Sequence, residues 1–262
     1  MKIGIIGSGN MASALLAGFI SSEVVDANEI YLSDTDEFKL TTWKEKGVNC
    51  YKENKSVVES AELVIFAVKP SVLPDVLAEI GKVNNDKIYL SIAAGFSISK
   101  IESFLGTEAK IVRAMPNTPA LVKCGMTVIS SNRNVSSNDK SEIKKLLKSV
   151  GEVVELEEKF INTATALHGS SPAYVYMLID AMADSGVKHG LKKDTALLLA
   201  SKAVEGAAKM VLESDEHIMK LKDNVCSPGG TTIEAVITLE ETGFKTSIQK
   251  AIDDCIKKAD NM

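Results

Sequence analysis

The sequence predicts an α/β protein: an N-terminal doubly wound sheet over residues 1–156, then an all-helical part over residues 157–262. Three observations predict this. Short apolar, β-branched runs alternate with segments of helical period as far as residue 155, which is the pattern of linked βαβ units. One of these runs, residues 63–68 (LVIFAV), is apolar without a break, as expected of a parallel strand covered on both faces. After residue 156 the strand pattern stops, and the periodic segments read as helices.

The elements follow in order. Residues 2–6 form a strand, and Gly7-Ser8-Gly9 leads into a helix carrying Met11, Leu15, Gly18 and Phe19 on one side. A second strand covers 29–33, a helix 36–46 stops at Gly47, and a short strand covers 48–51. A helix over 54–60 precedes the apolar strand, which halts at Lys69-Pro70. Helix 72–80, strand 87–92 and a helix from Ser97 to residue 105 come next, with Ser97 as the N-cap. Strand 110–114, the segment Met115-Pro116-Asn117-Thr118-Pro119, strand 126–130, helix 139–150 and strand 152–155 complete the sheet. Helices are predicted over 160–167, 173–189, 195–213, 232–241 and 244–259. The third of these (ALLLASKAVEGAAKMVL) nearly lacks a polar face, so it belongs inside a bundle or between subunits.

Composition narrows the classes. The chain has 262 residues, 45% hydrophobic and 25% charged, with a net charge of −5. With no basic cluster, nucleic acid is not an expected partner. No apolar run reaches the roughly 18 residues that cross a bilayer. A secretory signal is a poor reading of the N-terminus, because glycines interrupt the apolar run. The four cysteines (Cys50, Cys124, Cys226, Cys255) and the histidines His168, His189 and His217 are scattered. They read as thiols of a cytoplasmic protein and as side chains with no metal site.

Two stretches carry chemistry. Gly7, Gly9 and Ala12 fit G-x-G-x-x-G/A between a strand and a helix, the turn that brings a dinucleotide's pyrophosphate onto a helix N-terminus. Asp34 closes the second strand and has two readings: it takes ribose hydroxyls, or it caps the next helix. In the C-terminal part, Cys226-Ser227-Pro228-Gly229-Gly230-Thr231-Thr232 combines backbone freedom with the spacing of a capping box between Thr231 and Glu234. The backbone N–H groups of Gly230, Thr231 and Thr232 would then suit a carboxylate, and the Thr232 hydroxyl a nitrogen. A plain turn before a capped helix is the other reading. His168 reads as structural rather than as an acid–base group.

Taken together, these residues resemble the pyrroline-5-carboxylate reductase family over nearly the whole chain. The matching segments are GSGNMA at Gly7, AVKP at Ala67, AAG at Ala93, MPNTP at Met115, SSPAYVY at Ser170, GAAKM at Gly206 and LKDNVCSPGGTTIEAV at Leu221. The resemblance implies a Rossmann domain followed by a helical substrate-binding domain that dimerises, with dimers often built into rings. It implies reduction of 1-pyrroline-5-carboxylate to L-proline with NADPH or NADH. By motif match, Gly7, Gly9, Asn10 and Met11 line the pyrophosphate. Asn54, Ala67, Val68, Lys69 and Pro70 approach the adenosine half, and Ala94 and Asn117 the nicotinamide. Gly229, Gly230, Thr231 and Thr232 hold the substrate, with Asn224 ahead of them.

The chain departs from the family pattern at His168 and Ser171, where a small residue and a glycine are usual, and at Asp215, where Glu is common. The residues near Asp34 leave the form of the dinucleotide open, and use of both forms is expected. A hydroxyacid or ketoacid reductase of the same plan would need a catalytic lysine. Lys188, Lys202, Lys209 and Lys222 are present, but none lies in a motif for that role. A non-catalytic dinucleotide sensor would not need the SPGGTT loop.

Overall fold

The computed structural model describes residues 1–83 and 86–261. Packing divides the chain into two compact units. One is Met1–Ser170 together with the chain end from Ile256, and the other is Ser171–Cys255.

The first unit is built on an eight-stranded sheet in the order β3-β2-β1-β4-β5-β6-β7-β8. The strands are β1 (Ile3–Ile6), β2 (Ile30–Ser33), β3 (Asn49–Tyr51), β4 (Leu63–Phe66), β5 (Ile88–Ser91), β6 (Lys110–Met115), β7 (Gly125–Ser131) and β8 (Gly151–Glu155). Ile3 on β1 registers with Ile30 on one side and Leu63 on the other, both parallel. The order reverses between β1 and β4, so a crevice opens beyond their carboxyl ends.

Alternate residues of these strands feed opposite faces, which is why the inner strands are apolar throughout. Ile5 and Ile65 pack with Leu15, Leu16 and Phe19 of α1 (Asn10–Ser21) and with Ile143 and Leu147 of α6 (Ser137–Lys148). Ile6, Val64 and Phe66 pack the other way, against α3 (Asn54–Ser60), α4 (Leu73–Ile80) and α5 (Ile98–Leu105) through Val57, Leu77 and Ile101. Caps fix where the helices begin. Asp36 accepts from the Phe38 and Lys39 N–H groups and starts α2 (Glu37–Lys44). Ser97 accepts from Lys100 N and starts α5, and Ser136 with Asp139 makes a capping box for α6.

The far edge of the sheet departs from the parallel expectation. β7 runs antiparallel to β6, pairing Arg113 with Ser130, and β8 then follows β7 in parallel. Residues 116–124 hold only the 3₁₀ turn Thr118–Val122. So short a connection cannot carry a crossover, and the chain must turn back on itself.

The expected helix 160–167 is broken up. A 3₁₀ turn at Glu158–Phe160 leads into the single turn α7 (Ile161–Ala164), and Thr165–Gly169 is wound as a wider π-turn.

The second unit contains α8 (Ser171–Lys188), α9 (Lys193–Glu213), α10 (Ile218–Val225), α11 (Thr231–Glu241) and most of α12 (Phe244–Asp260). The pattern reading gave no helix at α10, which is short and is started by His217 accepting from Met219 N. Helices α8 and α9 meet through Ala183, Ala196 and Ala200, all buried, with Gly186 beside Ala196. Apart from Ala196 and Ala200, α9 buries nothing within the chain, and Leu198 and Leu212 are 62% and 85% exposed. Among the described residues no helix is long and apolar enough to cross a membrane.

Candidate active site

The glycine turn has one glycine that the fold requires and one that it does not. Gly7 sits at φ +97°, and a side chain there would meet the Ala67 carbonyl oxygen at 2.8 Å. Both backbone and packing therefore require glycine at 7. Gly9 has an extended backbone (φ −66°, ψ 179°) open to any residue, and a Cβ there would touch nothing within 4 Å. The space over Gly9 is left for something outside the protein. Gly9 is also the N-cap of α1 and offers no side chain to the first-turn N–H groups, so Asn10 and Met11 present theirs outward.

A cavity of about 390 Å³ lies at this turn, beyond the ends of β1, β2 and β4. It brings together Gly7, Gly9, Asp34, Asn54, Ala67, Val68 and Lys69. Asn10, Met11, Pro70, Ala94 and Asn117 do not line it. Ser8, Lys52, Val72 and Val76 do, and pattern reading did not single them out. Ser8 could have been found as the middle residue of the turn. Lys52 had no local signal, because it reaches the cavity only through the place of β3 beside β2.

Asp34 is tied to the turn. Its Oδ2 accepts from both the N–H and the hydroxyl of Ser8, each at 2.6 Å, and its Oδ1 accepts from Asp36 N at 2.8 Å. Burial raises the carboxyl's pKa. The Ser8 hydroxyl, the Asp36 and Ser8 N–H groups and the charge on Lys39 outweigh that and hold it below the ordinary carboxylate value. The cap of α2 is Asp36, so Asp34 serves that helix only through the turn that leads into it.

Asn54 is oriented by two neighbours. Its Oδ1 accepts from the buried Ser33 hydroxyl at 2.8 Å, and its Nδ2 donates to Glu79 at 2.7 Å. One Nδ2 hydrogen is left over.

The segment after β6 is held from inside the first unit. The Asn117 amide donates to the His168 carbonyl at 2.9 Å and accepts from Met126 N at 2.8 Å. The His168 ring lies 2.6 Å from the Ala164 carbonyl through Nδ1 and 2.8 Å from the Met115 carbonyl through Nε2. Ala94 packs with Met115, Val128 and Ile161.

In the second unit, the loop ahead of α11 corrects one expectation. Thr231 is not the N-cap, and the capping box with Glu234 does not form. The cap is Gly230, with no side-chain bond. Gly229 takes φ +67°, and Gly230 N donates to the Ser227 carbonyl at 3.0 Å. A Cβ on Gly230 would collide with the Ser227 hydroxyl. The Gly230 N–H is thus spent within the loop, and the free first-turn donors are those of Thr231 and Thr232. Asn224 is exposed at the end of α10, and Thr232 is half-buried.

A glycine turn against a helix N-terminus, at the switch point of a doubly wound sheet, defines a dinucleotide-dependent oxidoreductase. Residues 2–95 match the family model described as NADP oxidoreductase, coenzyme F420-dependent. Residues 158–262 match the model described as pyrroline-5-carboxylate reductase dimerisation.

The pyrroline-5-carboxylate reductase of Escherichia coli (strain K12) is 42% identical over 263 residues, covering 100% of this chain and 98% of that protein. Pyrroline-5-carboxylate reductase 2 of Homo sapiens is 40% identical over 265 residues, covering 98% of this chain and 82% of that protein. A crystal structure of Plasmodium falciparum pyrroline carboxylate reductase with NADP bound superposes with a TM-score of 0.91 at 34% identity, covering 99% of this chain and 97% of that one. The chain belongs to the pyrroline-5-carboxylate reductase family.

Proposed function

We propose that this chain reduces the cyclic imine 1-pyrroline-5-carboxylate to L-proline, the closing step of proline biosynthesis, with hydride from NADPH or NADH. The observation that carries the reading is the likeness over the whole length to reductases of that name, at 42% identity in one of them. The cavity at the glycine turn takes the adenosine and pyrophosphate. Gly7, Gly9, Asn10 and Met11 serve the phosphates, and Asp34, Asn54, Ala67, Val68, Lys69 and Pro70 the adenosine half. Ala94 and Asn117 stand toward the nicotinamide, with His168 fixing the segment that carries Asn117.

The chemistry asks for positioning. A protonated imine carbon is already electrophilic, so the protein has to align it with the nicotinamide, hold the carboxylate and exclude water. Hydride adds to the carbon, the C=N π pair becomes the amine lone pair, and the proton already on nitrogen stays there. We assign the substrate carboxylate to the loop of Gly229, Gly230 and Thr231, where the free N–H groups of Thr231 and Thr232 start α11. The ring nitrogen goes to the Thr232 hydroxyl, and Asn224 borders the loop.

We further propose that residues 1–156 act as the dinucleotide domain and residues 157–262 as the substrate-binding and dimerisation domain. The working form is a homodimer or a ring of dimers in the cytoplasm. The exposed Leu198 and Leu212 on α9 support a second subunit over that face.

The test is NADPH or NADH oxidation with 1-pyrroline-5-carboxylate beside a six-membered cyclic imine. Turnover with the five-membered imine and little with the larger ring is expected. Absence of turnover with both, in a protein that still binds dinucleotide, would overturn the reading.

A further inference from the structure

We propose that Glu158 is a positioning residue for hydride transfer. One of its oxygens bridges the start of α5 and the buried guanidinium of Arg113, and so sets the spacing of the segments that carry Ala94 and Asn117. The inference rests on the reductase reading above and adds to it a residue that does not line the dinucleotide cavity.

Ala94 follows β5 and Asn117 follows β6, so their spacing depends on how the two strand ends are held. Just after Ala94, α5 begins at Ile98. Its cap, Ser97, serves Lys100 N and leaves Ile98 N, one of the donors that every helix start leaves open. Glu158 Oε1 takes that N–H at 2.7 Å. Just before Asn117, Arg113 lies on β6 and is only 5% exposed. Its Nη1 donates to the same Oε1 of Glu158 at 3.3 Å. A carboxylate oxygen has room for two donors, and here they come from the two segments in question.

Burial makes the bridge strict. Among the described residues, Arg113 Nε has no partner. The cation is held by its fork instead, Nη1 on Glu158 and Nη2 on Asn162 Oδ1 at 3.2 Å. Asn162 is fixed in turn, since its Nδ2 donates to Asp260 Oδ1 at 2.9 Å near the chain end. Farther along the same stretch, Asn117 Nδ2 donates to the His168 carbonyl at 2.9 Å. Residues 158–168 thus meet the β6 strand and its continuation at both ends. Among the described residues, Oε2 of Glu158 bonds no protein group, and the side chain is 30% exposed, so that oxygen is left to water. What Glu158 supplies is one acceptor at a fixed reach from its backbone.

The experiment separates reach from charge in the full-length protein. Glu158→Asp keeps the carboxylate but is one methylene too short to meet both donors at once. Glu158→Gln keeps the length and an acceptor oxygen and removes the charge. Arg113→Lys tests the bridge from β6, because an ammonium cannot fork to Glu158 and Asn162 as a guanidinium does. Each protein is loaded with NADPH and mixed with saturating 1-pyrroline-5-carboxylate in a stopped flow. The rate constant of the first turnover reports the chemical step, and its amplitude reports the share of folded sites. Glu158→Asp and Arg113→Lys are each expected to lower the rate constant by about tenfold or more, since a misplacement of about 1 Å can cost 10²-fold. NADPH affinity should stay within about threefold of the wild type. Glu158→Gln should recover the rate constant to within about threefold.

A merely structural role would lower the amplitude and the melting temperature and leave the rate constant alone, and that result in Glu158→Asp would overturn the proposal. If Glu158→Asp does not fold, a wild-type rate constant in Arg113→Lys would overturn it. Glu158→Gln as slow as Glu158→Asp, or slower, would also overturn it, because length would then not be the cause. If the wild type does not turn over the imine, the reductase reading falls and this inference with it. If the wild type turns over and Glu158→Asp matches it, only this inference falls.

Discussion

Nε2 of His168 lies 2.8 Å from the carbonyl oxygen of Met115, while Nδ1 of the same ring lies 2.6 Å from the carbonyl of Ala164. The imidazole lies between the π-turn Thr165–Gly169 and the end of β6, each ring nitrogen facing a backbone carbonyl, and a neutral ring donates to one of the two. His168 is therefore a tie between backbone segments. His168→Ser should cost stability, on the order of 1–3 kcal/mol for a carbonyl left without its donor. Turnover should stay within about tenfold, because a general acid worth about 10²–10⁴-fold is not being removed. Urea denaturation and steady-state rates on the same variant check both halves. A loss of several hundredfold in a folded protein would show that the ring takes part in the chemistry.

Thr232→Ala should lower turnover with the imine by one to two decades, as expected when a hydrogen bond to a charged group worth roughly 1.5–3 kcal/mol is lost. Among the described residues, no protein group bonds the Thr232 hydroxyl, so the substrate can use it. Dinucleotide affinity should be nearly unchanged, and titration with NADPH beside the rate assay separates the two effects. A wild-type rate would remove Thr232 from the site.

The two glycines of the turn should respond differently to alanine. Gly7→Ala places a side chain at φ +97°, against the Ala67 carbonyl, and should destabilise the fold by about 2 kcal/mol or more. Gly9→Ala meets no protein atom within 4 Å, so melting should shift little while dinucleotide binding is lost. Thermal melts with and without NADPH check this. A Gly9→Ala protein that binds normally would mean the ligand does not approach there.

Tyr89 gives the fold an alkaline limit. Burial, and then the charge of Asp86, push its phenol up to about 12. A raised acid favours folding below the unfolded value near 10. That contribution fades as pH rises through the folded value, so stability should fall between about pH 10 and 12. Tyr89→Phe keeps the stack on Phe66 and should flatten that part of the curve. Melting temperatures of both proteins across this range provide the check, and parallel curves would assign the alkaline loss to other groups.

The apolar face of α9 should be covered in solution. Leu198, Leu199 and Leu212 are exposed in the single chain, and surface of that kind is rarely left bare. Light scattering at micromolar concentration should find a dimer or a multiple of it, and a stable monomer would count against the assignment.

The sequence by itself determined the strands and helices as far as residue 155, the glycine turn and the place of the SPGGTT loop. Each of these is written in a local pattern: alternation, caps, or a glycine at a fixed offset. Helices α3 and α5 fall where the residues alone place them, because Asn54 follows a short strand and Ser97 is a strong cap.

Only the tertiary structure decided the rest, because the deciding partner lies elsewhere in the chain. Asp34 finds Ser8 across 26 residues, since β2 lies beside β1. Lys52 reaches the same cavity through β3, and His168 reaches Met115 across 53 residues. The reversal at β7 follows from a connection too short for a crossover. The cap of α11 moved from Thr231 to Gly230 because the positive φ of Gly229 and the bond from Gly230 N to Ser227 close the turn one residue earlier. Spacing pointed to a capping box between Thr231 and Glu234, and the backbone geometry of the loop placed the cap at Gly230 instead.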